Sequence, residues 1–268
     1  MMTLAKRITG PAALVAVAFM AAVFFSFGSV QSAPSKATVV LVHGAFAESS
    51  SWDAVIARLL AEGYPVVAAA NPLRGVKSDA DYVAAVLKSI DGPIVLVGHS
   101  YGGAVITNAV NGNRNVKALV YVAGFAPDTG ETAAELAGRF PGGTLGPTLA
   151  PPVPLTDGGN DLYIRQDKFR AQFAADVPEK QARLMAGTQR PITEAALNEA
   201  SGVPSWKTTP SWFIYGERDL NIPAAAQSFM AARAGSKETV VVKGASHVVM
   251  VSHPDAVAKV IIGAAASN

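Results

Sequence analysis

The fold is decided by one stretch, Ile94-Val95-Leu96-Val97-Gly98-His99-Ser100-Tyr101-Gly102-Gly103. Four apolar residues enter it, and an alanine- and valine-rich run from Ala104 leaves it. That reads as strand, very tight turn, helix. Gly98, Ser100 and Gly102 match G-x-S-x-G, the pattern of a nucleophile elbow. The logic is steric. A serine on so sharp a turn is strained, with its hydroxyl thrust clear of the sheet. Glycines two before and two after remove the Cβ atoms that would collide there. The next helix aims its free N–H groups at the same spot. Small residues can also serve an ordinary packed turn, so catalytic use requires partners downstream.

Outward from the elbow, strands and helices alternate. Residues 38–42 form an apolar strand that runs into His43-Gly44-Ala45-Phe46. A helix follows from Ser50 or Ser51, with Trp52, Val55, Ile56, Leu59 and Leu60 on its apolar side and Gly63 as its stop. Residues 65–70 read as a strand. Ser78 and Asp79 cap a helix that buries Tyr82, Val83, Val86, Leu87 and Ile90. Residues 116–122 are the next strand. This rhythm predicts an α/β fold: a mostly parallel sheet of about six strands with helices on both faces. Sites in such sheets gather at the carboxyl ends of the strands.

The rhythm breaks over residues 126–210, which contain no good buried strand. A Gly-Pro-rich stretch (141–154) precedes polar helical segments near 162–175, 178–186 and 193–200. An insertion that returns to the same sheet reads as a small helical lid, with an unrelated small helical domain as the alternative. Strands resume at 211–215 and 239–243, with helices from Ala224 and from 254 to 264.

A nucleophilic serine needs a base, and the base needs an orienting acid. The chain has four histidines. His43 follows a strand and braces a loop. His99 precedes the serine and points away from its hydroxyl. His253 reads as a helix cap or surface residue. His247, in a loop after the last strand, is the favoured base. For the acid, Glu217 and Asp219 both follow strand 211–215; Asp219, four residues past it, is favoured. The chain order is then Ser100, Asp219, His247.

These motifs, together with residues 39–44, resemble the α/β-hydrolase superfamily over residues 37–265. Val40-Leu41-Val42-His43-Gly44-Ala45 and the small lid resemble its esterase and hydroxynitrile-lyase group. Phe125-Ala126-Pro127-Asp128 and Gln189-Arg190-Pro191 resemble bacterial esterase-type members. The resemblance implies an oxyanion hole made by the backbone N–H groups of Ala45 and Tyr101, with simple packing as the other role for Ala45. The Tyr101 side chain is then expected at the pocket mouth. Phe46, Phe125 and Trp206 are candidate pocket walls, as are Phe169 and Met185. In the lyases of this group a lysine follows the catalytic histidine and a polar residue stands in the oxyanion loop. Here Val248 and Gly44 occupy those places, which favours hydrolysis.

The expected activity is hydrolysis of small carboxylic esters through an acyl-enzyme on Ser100, without metal or cofactor. The alternatives are lyase-like or other cofactor-free chemistry, and a ligand sensor on the same fold. Composition sets the outer bounds. The 268 residues are 50% hydrophobic and contain no cysteine, so disulfides, a thiolate nucleophile and cysteine metal sites are excluded. Lys6 and Arg7, followed by an apolar run to Val30, mark residues 1–32 as a secretory signal peptide cleaved after Ser32. An uncleaved membrane anchor is the rival reading. Either places the domain, residues 33–268, outside the cytoplasm, as a periplasmic or secreted protein if cleaved. Setting Lys6 and Arg7 aside leaves 20 basic and 20 acidic residues. That balance offers no attraction for nucleic acid or an anionic membrane. The partner expected is a small ester; the oligomeric state is left open.

Overall fold

The computed structural model describes residues 1–2, 36–110, 112–156 and 158–267. The signal peptide expected over residues 1–32 lies outside the described residues, apart from its first two. The remainder, from Ser35 on, is one compact unit.

The first half alternates as its apolar runs dictate. β1 (Thr38–Val42), α1 (Asp53–Ala61), β2 (Val66–Ala69), α2 (Val76–Lys88), β3 (Ile94–His99), α3 (Tyr101–Ala109) and β4 (Val116–Val122) follow in order. An insert then carries α4 (Ala133–Gly138), β5 (Val153–Pro154), β6 (Asn160–Leu162), α5 (Gln166–Phe173), α6 (Glu179–Thr188), β7 (Ile192–Thr193) and α7 (Glu194–Asn198). The chain finishes with β8 (Ser211–Gly216), α8 (Ala224–Arg233), β9 (Thr239–Val242), α9 (Val249–Ser252) and α10 (Pro254–Ala266).

The main sheet has six strands in the order β2-β1-β3-β4-β8-β9, and every pairing is parallel. Val39 to Val42 and Ile94 to Val97 are wholly buried, as strands covered on both faces require. The helices α1 and α10 pack together and α2 packs on α3, so that the two pairs cover the two faces. The chain passes from β1 outward to β2, then crosses back to β3 on the other side of β1. The connections leaving β1 and β3 therefore diverge and open a crevice at their carboxyl ends. Across β4 and β8, Tyr121 and Phe213 are register partners whose rings stack 4.6 Å apart.

Several local expectations are corrected. The insert contains a three-stranded antiparallel sheet, β5-β6-β7, besides its helices. Leu162, expected to open a helix, lies in that sheet. Leu60 and Tyr82, placed on buried helix faces by periodicity, are exposed. α2 starts at Val76, so Asp79 sits inside its first turn rather than capping it.

Candidate active site

Ser100 lies between β3 and α3 with φ 53° and ψ −125°. A non-glycine residue held there stores roughly 1–3 kcal/mol of strain. The flanking glycines are dictated by close approach. A Cβ on Gly98 would lie 2.5 Å from the Gly102 carbonyl oxygen, and one on Gly102 would lie 2.5 Å from that of Val42. The exit of β4 holds the strained residue. Ser100 N–H donates to Ala123 O at 3.1 Å, and Phe125 N–H donates to Ser100 O at 3.1 Å.

His247 follows β9 in a loop and is fully buried. Its Nδ1 lies 2.7 Å from Asp219 Oδ2. A carboxylate only accepts, so Nδ1 carries the proton and Nε2 presents its lone pair. Nε2 is buried with no hydrogen-bond partner. Asp219 is itself fully engaged. Its Oδ1 accepts from Asn221 N–H at 2.8 Å and Ile222 N–H at 2.9 Å, and its Oδ2 accepts from Gln227 Nε2 at 3.0 Å. Glu217, the other candidate acid, instead accepts from Gly244 N–H at 3.0 Å. No hydrogen bond joins Ser100 Oγ to His247 Nε2 in this structure. Such bonds commonly close only around substrate.

His99 braces this arrangement. Its Nε2–H donates to the His247 carbonyl at 3.2 Å, and the two rings lie 4.8 Å apart. Burial, and then the nearness of His247, hold the His99 imidazole well below its ordinary pKa. His43 is a brace of the same kind. Its Nδ1–H donates to Gly44 O at 3.0 Å, and its Nε2 accepts from Asn71 N–H at 3.1 Å. Burial lowers its pKa from 6.5 to about 4.

The two expected oxyanion donors flank the serine. Tyr101 opens α3, so its N–H has no carbonyl one turn back. Ala45 follows Gly44, where a Cβ would lie 2.5 Å from Ser100 Cβ. The Ala45 N–H donates to no backbone carbonyl among the described residues. Phe46, next in the turn, has φ 59°, and its N–H donates to Arg190 O of the insert at 2.9 Å. The Tyr101 side chain is not at a pocket mouth. It is fully buried, and its hydroxyl donates to Asp79 Oδ2 at 2.9 Å. Desolvation raises the pKa of both groups.

The insert closes over this centre. Phe173, the last residue of α5, places its ring 5.0 Å from that of His247 and 6.2 Å from that of Phe46. Phe169 packs against it, the two rings tilted with centroids 5.0 Å apart. Gln172 ties α5 to the acid loop, donating to Leu220 O at 3.0 Å and Asn221 Oδ1 at 2.7 Å. Ser246, beside the base, donates to Asp176 just past α5. Sequence reasoning missed Phe173 and Gln172. The available signal was Phe169-x-x-x-Phe173, two rings one turn apart on an otherwise polar helix. Of the candidate walls, Phe46 is at the centre. Phe125 braces the elbow through its backbone. Trp206 is engaged elsewhere: its Nε1 donates to Pro127 O at 3.0 Å, and Arg233 and Lys207 stand over its ring. Among the described residues, no cluster of three or more His, Asp or Glu side chains is placed to hold a metal.

The sequence profile of the alpha/beta hydrolase family matches residues 39–260. The chain belongs to that family. This alpha/beta hydrolase is 28% identical over 255 residues to a pyrethroid hydrolase of Sphingobium wenxiniae, covering 83% of this chain and 85% of that one. It is 26% identical over 253 residues to the alpha/beta hydrolase nvfD of Aspergillus novofumigatus, covering 86% and 97%. Among solved structures, polyneuridine aldehyde esterase superposes with a TM-score of 0.74 at 18% identity, over 87% of this chain and all of the other. The family membership and sheet architecture expected from the sequence are thus borne out.

Proposed function

We propose that this alpha/beta hydrolase is a serine esterase acting on small carboxylic esters. The observation that carries the reading is the polarised pair. Asp219 fixes the tautomer of His247 so that the Nε2 lone pair is the free one, and the strained elbow presents Ser100 at the carboxyl end of β3 in the same sheet. His247 Nε2 takes the Ser100 proton as Oγ attacks the ester carbonyl. The carbonyl oxygen turns negative and accepts from the Ala45 and Tyr101 N–H groups, each worth roughly 3 kcal/mol. The C–O bond to the alcohol breaks, and His247 returns the proton to the leaving oxygen. Water, deprotonated by His247, attacks the acyl-enzyme; the acid leaves and Ser100 regains its proton. In this reading the insert is the lid that excludes bulk water.

Two features support hydrolysis over the lyase reaction. Val248, wholly buried, follows His247 where the resembled lyases have lysine, and Gly44 supplies no polar side chain to the oxyanion loop. The names of the pyrethroid hydrolase and polyneuridine aldehyde esterase point the same way. Stoichiometric labelling of Ser100 by a fluorophosphonate, with multiple turnovers of p-nitrophenyl acetate, is the expected result. Ser100→Ala should abolish labelling and lower turnover by roughly 10⁶-fold. Labelling without turnover would make the protein a sensor rather than an enzyme.

A further inference from the structure

The oxyanion turn has a second face. On it opens a groove of about 420 Å³. Phe46, Ala47, Glu48 and Asp53 line it together with Leu184 and Met185 of α6. We propose that this groove seats one arm of the ester substrate, and that the arm is apolar and free of negative charge. The inference rests on the esterase reading and names the substrate class that reading leaves open.

Three observations carry it. The first is continuity. Gly44 abuts Ser100, and Ala47 lines the groove three residues later. Three residues span at most about 10 Å, so the groove lies within the length of an extended ester arm from the elbow, with Phe46 as the side chain such an arm must pass. Phe46 is the partition between them: it lines the groove, and its ring meets Phe173, which in turn covers His247. The second is apolar surface. Leu184, 65% exposed, presents its aliphatic side chain to the groove. The partly buried Met185 beside it is adaptable. The third is charge. No lysine, arginine or histidine lines the groove, whereas Glu48 and Asp53 do. The Glu48 carboxylate is fixed, accepting from Ser50 Oγ at 2.9 Å while capping the turn that precedes α1. Lys180 and Arg190 adjoin the groove-lining Gln181 and Gln189 without lining the groove themselves, and the charge of Arg190 is felt at His43. The lining itself thus offers a carboxylate-bearing arm two acids and no basic partner.

The test uses esters with a six-carbon arm ending in methyl, trimethylammonium or carboxylate, with the arm placed first on the acyl side and then on the alcohol side. On one of the two sides the carboxylate ester should show kcat/KM about tenfold below the methyl ester at low salt, with the gap shrinking in high salt. Asp53→Asn should narrow the gap between the carboxylate and ammonium esters. Leu184→Ser should raise KM for the methyl ester. Both positions are exposed, so neither variant threatens the fold. Uncleavable ether analogues, titrated by calorimetry against Ser100→Ala, should bind in the same order. Turnover with no discrimination on either side, or with KM unmoved by Leu184→Ser, overturns the groove. Ether binding in the expected order without ester turnover keeps the groove and overturns the esterase reading.

Discussion

At the scale of single residues, this site depends on imidazoles kept neutral for different ends. His43 and His99 are wholly buried, and each donates to a carbonyl of a loop beside Ser100. His43 has a folded pKa of about 4 against an ordinary 6.5. Between these values the unfolded chain binds a proton that the folded protein does not. Stability from this group is therefore complete above pH 6.5 and is lost as pH falls toward 4, by about 3 kcal/mol at most. His99 adds to the loss in the same direction. Urea unfolding at pH 7 and pH 4.5 should show the native protein markedly weaker at the lower pH. His43→Gln should be less stable at pH 7 yet lose less on acidification; an equal or steeper loss would refute the assignment. The elbow serine was legible in the chain because sterics write it locally, in Gly98 and Gly102. The fate of the Tyr101 side chain was not, because its partner Asp79 lies 22 residues away on another helix.

At the scale of elements, α5 does the most with the least sequence signal. Its helix is polar, yet Phe169, Gln172 and Phe173 are buried. Gln172 grips the loop that carries Asp219, and Phe173 lies against His247. One short helix thus couples both loops to the insert. Phe173→Ala should cost about 3–5 kcal/mol of stability. It should also speed fluorophosphonate labelling of Ser100, by removing the ring that covers His247. A lower melting temperature with unchanged labelling would show that the ring packs the core but does not guard the serine. The strands of the main sheet were readable because burial on both faces makes them continuous apolar runs. β5, β6 and β7 were not. They have two or three residues each, one being Pro154, and other parts of the protein hold them: Thr193 N–H donates to Leu73 O, and Arg74 pairs with Asp161. Periodicity needs length, and these strands have none to offer.

At the scale of the whole molecule, the charge balance bears on the leader proposed for residues 1–32. Residues 1–32 carry two cations and no acids, and the rest of the chain is neutral by formal count. We expect an exported protein whose mature form starts at Ala33. Intact-mass measurement of material recovered from the bacterial periplasm or medium should give the chain without its first 32 residues. Recovery of the full-length chain from membranes would favour the anchor instead. From Ser35 on, the chain is one compact unit. Its strand order puts the turns holding Ala45 and Ser100 after the neighbouring strands β1 and β3, with the loops of Asp219 and His247 following β8 and β9.

Gly44 also limits the chain's history and its future. A side chain there would have its first carbon 2.5 Å from Ser100 Cβ and 2.7 Å from His99 O. The lyases that this chain resembles use a polar side chain at the corresponding position. A lineage could not step from this enzyme to that one by a single substitution at 44, because the intermediate would disturb the serine before it gained the new chemistry. The backbone of β1 or of the elbow would have to shift first. In a saturation library position 44 should accept almost nothing, and the few tolerated replacements should arrive with second-site changes in residues 98–102.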